Sequence, residues 1–433
     1  MSGAVAVTGI GVVSPSGVGA DRHWASVLAG RTAIGRITRF DPEPYPTRLA
    51  GEVRGFDERG HVEARILVQT DRWTHLGLAA ADMALADAGV DPARLPEYDM
   101  AVVTAASSGG TEFGQREIER LWSRGPRHVG AYQSIAWFYA ATTGQISIRH
   151  GMRGPCAVLC AEQAGGLDAL AHARRLLGED ARLALSGGTD ASLCPYGLAA
   201  QLASGRLSRG DDPARAYLPF DSHAAGHVPG EGGAMFVLED DAAAEARGAA
   251  SYATLDGYAA TFDPAEGRGR PPGLRRAAEL ALADAGAEPA DIDVVFADAA
   301  AVPELDRRES AALCALFGPY GVPVAAPKTM YGRLYAGGAA LDVATALLAI
   351  RDGLIPPTVG VRRLADDCPL DLVRDRPRPA AVRRVLLLAR GEGGFNSALV
   401  VSAPRPSRAR PAHNGGGHGH EPTDPGRPEA PAA

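Results

Sequence analysis

The strongest constraint on what this chain can fold into is that it repeats itself. Residues 79–106 read AAADMALADAGVDPARLPEYDMAVVTAA and residues 277–300 read AAELALADAGAEPADIDVVFADAA. In both, ALADAG ends an Ala/Leu-rich helical run at a glycine, the usual residue just past a helix C-terminus. An acid-and-proline loop follows, then a β-branched strand. Further on, AGGLDALAHARRLL (164–177) is answered by AGGAALDVATALLAI (336–350), each a glycine pair opening a long apolar helix. LALSGGTDAS (183–192) is answered by LLLARGEGGFNSALVV (386–401), strand, glycine turn, strand. Three matches in the same order mean two copies of one α/β unit. Two such halves with buried strands predict a layered α/β/α/β/α body, residues 1–250 forming the first half and 251–403 the second.

The first copy carries extra chain around residues 109–150. It holds an amphipathic helix, GGTEFGQREIERLW, and an aromatic cluster, Trp137, Phe138 and Tyr139. An apolar insertion present in one repeat only is a candidate dimer surface; the alternative is a helix that caps its own core. Residues 404–433 contain no Leu, Ile, Val or Phe and are dense in Pro, Gly and charge. Such a composition cannot offset its ordering entropy and predicts a disordered tail. HNGGGHGH within it reads as a flexible solvated spacer, with loose metal binding as the alternative.

A net charge of −7 and a pI near 5.9 leave no basic footprint for nucleic acid. The N-terminus has no basic n-region, and no apolar run is long enough for a bilayer. Five cysteines without zinc-type spacing fit reduced thiols in a cytoplasm. Cys156 and Cys160 flank an apolar stretch and are expected in the core. Lys328 is the only lysine among 44 basic residues, which singles it out.

AVLCAEQAGGLDALAHARRLL reads as strand, tight glycine turn, long helix. A side chain at such a turn faces unpaired N–H groups and the helix dipole, which stabilise an anion; a cysteine there would be an activated nucleophile. The segment resembles the nucleophile elbow of the β-ketoacyl synthases, of the thiolase-like superfamily, and so implies the five-layered thiolase fold. Registering on Gly166-Leu167-Asp168-Ala169 puts Gln163 where the family has its cysteine. Cys160, three residues earlier, is expected inside the strand and is a weak candidate for a displaced nucleophile.

The family's two histidines are also replaced. In DAAAVPELD (298–306), Pro303 and Asp306 match the first histidine motif and place Asp298 at the histidine. In KTMYGRLYAGG (328–338), Lys328 and Gly332 match the second and place Arg333 there. The opposite charges predict a buried ion pair filling a vestigial site, with Lys328 either holding that network together or serving a plain structural role. LPFDSHAAGHVPGEGG (218–233) and RGEGGFNSALVV (390–401) keep the family's glycine loops, with Glu392 where a gating phenylalanine is usual.

Gln163 together with PKTMYGRLYAGG and VPELD resembles one branch, the chain length factors or ketosynthase β subunits of bacterial type II polyketide synthases. The resemblance implies a non-catalytic subunit paired with a cysteine-bearing ketosynthase α subunit. It implies an acyl carrier protein bringing malonyl and polyketide chains, no cofactor, no metal, and a heterodimer interface above about 2,000 Å² that includes Trp137, Phe138 and Tyr139. By the same resemblance the tunnel wall that limits chain length maps to Thr111, Gly114 and Ile118. Their i, i+3, i+7 spacing places them on one helix face, and their small size implies a deep tunnel. The competing reading makes Gln163 an orienting group for malonyl decarboxylation, supplying an acetyl primer. A third reading, a free-standing fatty-acid condensing enzyme, is opposed by Gln163, which cannot form a thioester.

Overall fold

The computed structural model describes residues 4–179, 181–265, 269 and 271–404. The expected tail, with HNGGGHGH, lies outside them apart from Pro404.

Ten strands carry the duplication. In the first half they are β1 (Val5–Ser14), β2 (Met100–Ala105), β3 (Cys156–Leu159), β4 (Leu183–Asp190) and β5 (Gly232–Asp240). In the second they are β6 (Ala253–Phe262), β7 (Val294–Phe296), β8 (Pro323–Ala325), β9 (Arg384–Arg390) and β10 (Phe395–Ser402). Their spatial order is β8-β7-β9-β10-β6-β1-β5-β4-β2-β3. Read outward from the centre, each half runs in the same sequence, β1-β5-β4-β2-β3 against β6-β10-β9-β7-β8. The senses match too. β2 is parallel to β3 and β4 as β7 is to β8 and β9, and β5 and β10 run antiparallel to both of their neighbours. The halves meet where Val5, Ala6 and Val7 pair with Leu255, Thr254 and Ala253.

Helices α1 (Arg72–Asp87) and α4 (Leu274–Asp284) are the two ALADAG helices and pack on the outer faces of their own halves. The other matched pair, α3 (Gly165–Leu177) and α6 (Ala336–Asp352), lies between the halves, and Ala336 through Ile350 is buried without a break. A helix buried on every side belongs in such a central layer. The result is the five-layered arrangement of the thiolase fold.

The glycine pairs allow the two central helices to meet at their N-terminal turns. A Cβ on Gly166 would lie 2.7 Å from the Ala340 nitrogen, and one on Gly338 would lie 2.4 Å from Gln163 Nε2. The repeat therefore sets the geometry of the site, because the elbow of one half is pressed against the helix start of the other.

The two cysteines expected in the core are not there. Cys156 and Cys160 are both exposed, and Ala157, Val158 and Leu159 are only half-buried. β3 is the edge strand of its half, with no strand on its outer side among the described residues. An apolar edge strand with unpaired backbone is a pairing surface and a poor place to hide side chains.

Candidate functional site: a closed ionic network where a catalytic centre would stand

Gln163 lies in a single 3-10 turn, Glu162–Ala164, that runs directly into α3. The strained residue is its neighbour: Glu162 has φ +51°, a left-handed conformation that costs a non-glycine residue about 1 kcal/mol. Gln163 is 1% exposed, and neither amide atom has a hydrogen-bond partner among the described residues. The expectation that Cys160 points into the body is also corrected: it follows the last residue of β3 and faces outward. Partial burial raises its thiol pKa, the opposite of an activated nucleophile.

Asp298 and Arg333 do come together. Arg333 Nη2 is 3.1 Å from Asp298 Oδ1, and both side chains are buried. The pair is part of a larger group that sequence reasoning did not find. Arg390, the last residue of β9, donates from its backbone N–H to Asp298 Oδ1 at 2.9 Å and from Nε to Oδ2 at 3.2 Å. Its Nη2 reaches Glu309 at 3.1 Å. Glu309, buried on helix α5 (Pro303–Phe317), accepts the backbone N–H groups of Asp298 and Ala299 at 2.7 and 2.9 Å. Lys328 Nζ donates to the carbonyls of Ala297 (2.6 Å) and Asp298 (3.1 Å) and pairs with Asp342 at 2.7 Å. Three cations thus face three carboxylates in a buried, charge-balanced cluster. Burial alone would push the Asp298 pKa up; Arg333, Arg390 and Lys328 outweigh it and hold the carboxyl below its usual range.

A cavity of about 660 Å³ opens onto this cluster. Its buried end is formed by His227, Asp298, Arg333 and Arg390, its exposed end includes Phe262, Phe395 and Glu392, and half-buried Glu162 and Arg206 also line it. Gln163 is not among its lining residues. Glu392 is clasped from two sides, its carboxylate by Arg206 at 2.5 Å and its backbone N–H by Glu162 at 2.7 Å. Burial, then Arg333, pulls His227 down to about 3, so its ring is neutral and a poor base at pH 7. The guanidinium groups that could polarise a thioester oxygen are already spent on Asp298 and backbone carbonyls. Among the described residues no Cys, Ser, Thr or Lys lines this cavity, and the ring nitrogens of His227 are left without a hydrogen-bond partner. Among the described residues no group of three or more His, Cys, Asp or Glu side chains is placed to hold a metal.

The proposed wall residues lie elsewhere, on α2 (Thr111–Arg124). Thr111 and Gly114 are buried, whereas Ile118 is 42% exposed, so the chain on its own covers only the first two. The space left by Gly114 is not empty: a Cβ there would lie 3.1 Å from Cδ1 of Trp137. Polar contacts fix the helix. Asp71 Oδ2 accepts the Phe113 N–H at 2.7 Å, and Arg39 pairs with Glu112. Glu117 accepts the Gly130 N–H at 2.5 Å. Trp137, Phe138 and Tyr139 are 48%, 61% and 40% exposed, and Trp122 on α2 is 83% exposed. For one chain in isolation this is an unusually aromatic surface.

Arg390 and Glu309 were missed because neither departs visibly from a family motif; the signal was the arginine opening RGEGGFN, directly after an apolar strand. A duplicated body with glutamine at its elbow, and with both histidine positions joined in such a network, keeps the scaffold the resemblance implied but neither the cysteine nor the two histidines. Residues 2–244 match the N-terminal domain of β-ketoacyl synthases and residues 252–362 match the C-terminal domain. The chain belongs to the β-ketoacyl synthase family. It is 58% identical over 399 residues to the tetracenomycin polyketide synthase ketoacyl synthase beta subunit of Streptomyces glaucescens, covering 92% of this chain and 98% of that one. It is 56% identical over 405 residues to the actinorhodin polyketide beta-ketoacyl synthase 2 of Streptomyces coelicolor, covering 93% and 100%. Among solved structures, the ishigamide ketosynthase/chain length factor superposes with a TM-score of 0.85 at 30% identity, covering 94% of this chain and 100% of that one.

Proposed function

We propose that this chain is the non-catalytic ketosynthase β subunit of a bacterial type II polyketide synthase. It pairs with a cysteine-bearing ketosynthase α subunit and sets the length of the polyketide, which grows from malonyl units delivered by an acyl carrier protein. The observation that carries this reading is the ionic network: three positions that are catalytic in the family are replaced, and two of the substitutes lock together on an otherwise intact scaffold. The half-exposed apolar strand β3 and the aromatic insertion supply an uncovered face for the partner. A cytoplasmic setting fits the free cysteines and the absence, among the described residues, of any helix long and apolar enough to cross a membrane.

Decarboxylative priming through Gln163 gains no support from the geometry, because the amide does not line the cavity and Arg333 is neutralised by Asp298. The test is malonyl-carrier decarboxylation by the α/β complex with Gln163→Ala in this chain. Acetyl formation and total condensation are expected at wild-type rates, with any acyl adduct found by intact mass on the α subunit alone. A severalfold loss of acetyl formation, or an adduct on this chain, would transfer the function to Gln163 or to another residue here.

A further inference from the structure

Resting on the reading that α2 carries the chain-length wall, the geometry points to Trp137 as the side chain that closes this wall. Three glycines build a seat for it. A Cβ on Gly110 would lie 2.1 Å from the Ala136 carbonyl oxygen, and one on Gly109 would lie 2.6 Å from that of Trp137. Only bare backbone therefore lets residues 136–137 lie against the start of α2, where the Gly110 N–H faces the Trp137 carbonyl at 3.5 Å. One turn on, the missing side chain of Gly114 is replaced by the indole, with Cδ1 and Nε1 3.1 and 3.5 Å from the Cβ position. Close packing transmits any change at such a contact.

The wall at position 114 is thus an indole borrowed from the insertion loop. Residue size at Thr111, Gly114 and Ile118 alone overstates the depth of the tunnel. The exposures divide the aromatic cluster by role. Trp137 has one face on α2 and is 48% exposed, while Phe138 is 61% exposed and free to meet a partner. Trp137 is then a specificity-determining residue, and Gly114 is small so that the indole can seat.

The experiment compares product lengths from the α/β complex with carrier, carrying Trp137→Ala, Thr111→Phe, or Trp137→Ala with Gly114→Phe in this chain. Co-purified α subunit is measured alongside. Trp137→Ala should lengthen the main product by at least one extension unit, because surrounding atoms refill such a void only in part. Adding Gly114→Phe should bring the length back, since a ring at 114 occupies the vacated seat. Unchanged length in Trp137→Ala while Thr111→Phe shortens the product overturns the role of Trp137 and leaves the α2 reading standing. Unchanged length in both, with the complex assembled, overturns the α2 reading itself. If Trp137→Ala does not assemble, Trp137→Leu takes its place with the same readouts. Failure of both to assemble makes Trp137 an interface residue and overturns the proposal.

Discussion

Deleting the Asp298 carboxylate is the sharpest perturbation of the network. Asp298→Ala removes the acceptor for Arg333 Nη2 at 3.1 Å, Arg390 Nε at 3.2 Å and the Arg390 N–H at 2.9 Å. Three buried cations would then face two carboxylates. At an effective dielectric of about 20, each of the two lost ion pairs is worth roughly 5 kcal/mol of Coulomb attraction, and the backbone N–H loses a hydrogen bond besides. The cations keep other partners: Arg390 retains Glu309 and the Leu305 carbonyl, and Arg333 retains the Arg390 carbonyl. The net loss on breaking a buried pair from one side is about 3–5 kcal/mol, and these residual partners place it near the lower end. Arg333→Ala should cost less, because Asp298 keeps Arg390 and the nearby Lys328. The double variant should cost less than the sum of the singles, with a coupling of about 1–3 kcal/mol. Equilibrium urea denaturation of the assembled protein at pH 7 measures all three. Asp298→Ala within about 0.5 kcal/mol of wild type, or strictly additive singles, would refute the reasoning. The pH dependence has a definite sign as well. The folded Asp298 pKa lies below its ordinary 3.8, so this contribution is complete above about pH 4 and fades only as pH falls further.

Asp306 behaves oppositely: burial raises its pKa to about 7 from 3.8, so the folded state holds a proton the unfolded state has lost and stability falls as pH rises through that window. Asp306→Asn keeps an acceptor for the Phe220 N–H, which Asp306 Oδ2 accepts at 2.7 Å, and should make the fall in a pH series of unfolding midpoints shallower. Gly338→Ala forces a Cβ into the Gln163 amide and should cost about 1–3 kcal/mol; adding Gln163→Ala should recover most of it, and denaturation of the double variant decides. Gln163→Cys should restore no condensation when the chain is assayed with an α subunit whose own cysteine is removed, since Asp298 and Arg333 supply neither histidine function.

The duplication was legible because it leaves matched glycines. The pairs at 165–166 and 337–338 mark where two helix starts touch, and the strand order follows from placing the copies side by side. Asp298 and Arg333 were legible because each breaks a motif, and opposite charges replacing two neighbouring histidines point at one another. Arg390 and Glu309 were not, since their pairing depends on a β9 end and a helix meeting across many residues, which no local pattern encodes. Cys156 and Cys160 misled for a related reason: an apolar run signals burial, but only the sheet order shows that β3 is an edge. Gly114 looked like empty volume because its occupant, the indole of Trp137, arrives from another segment.

On this reading the chain sets product length without joining the chemistry. This is tested most directly by holding one cysteine-bearing α subunit and its carrier constant and exchanging this chain for a β subunit that makes a product of different length. The main product, identified by mass, should change to the length belonging to whichever β subunit is present. A length that stays with the α subunit in both complexes would contradict the account.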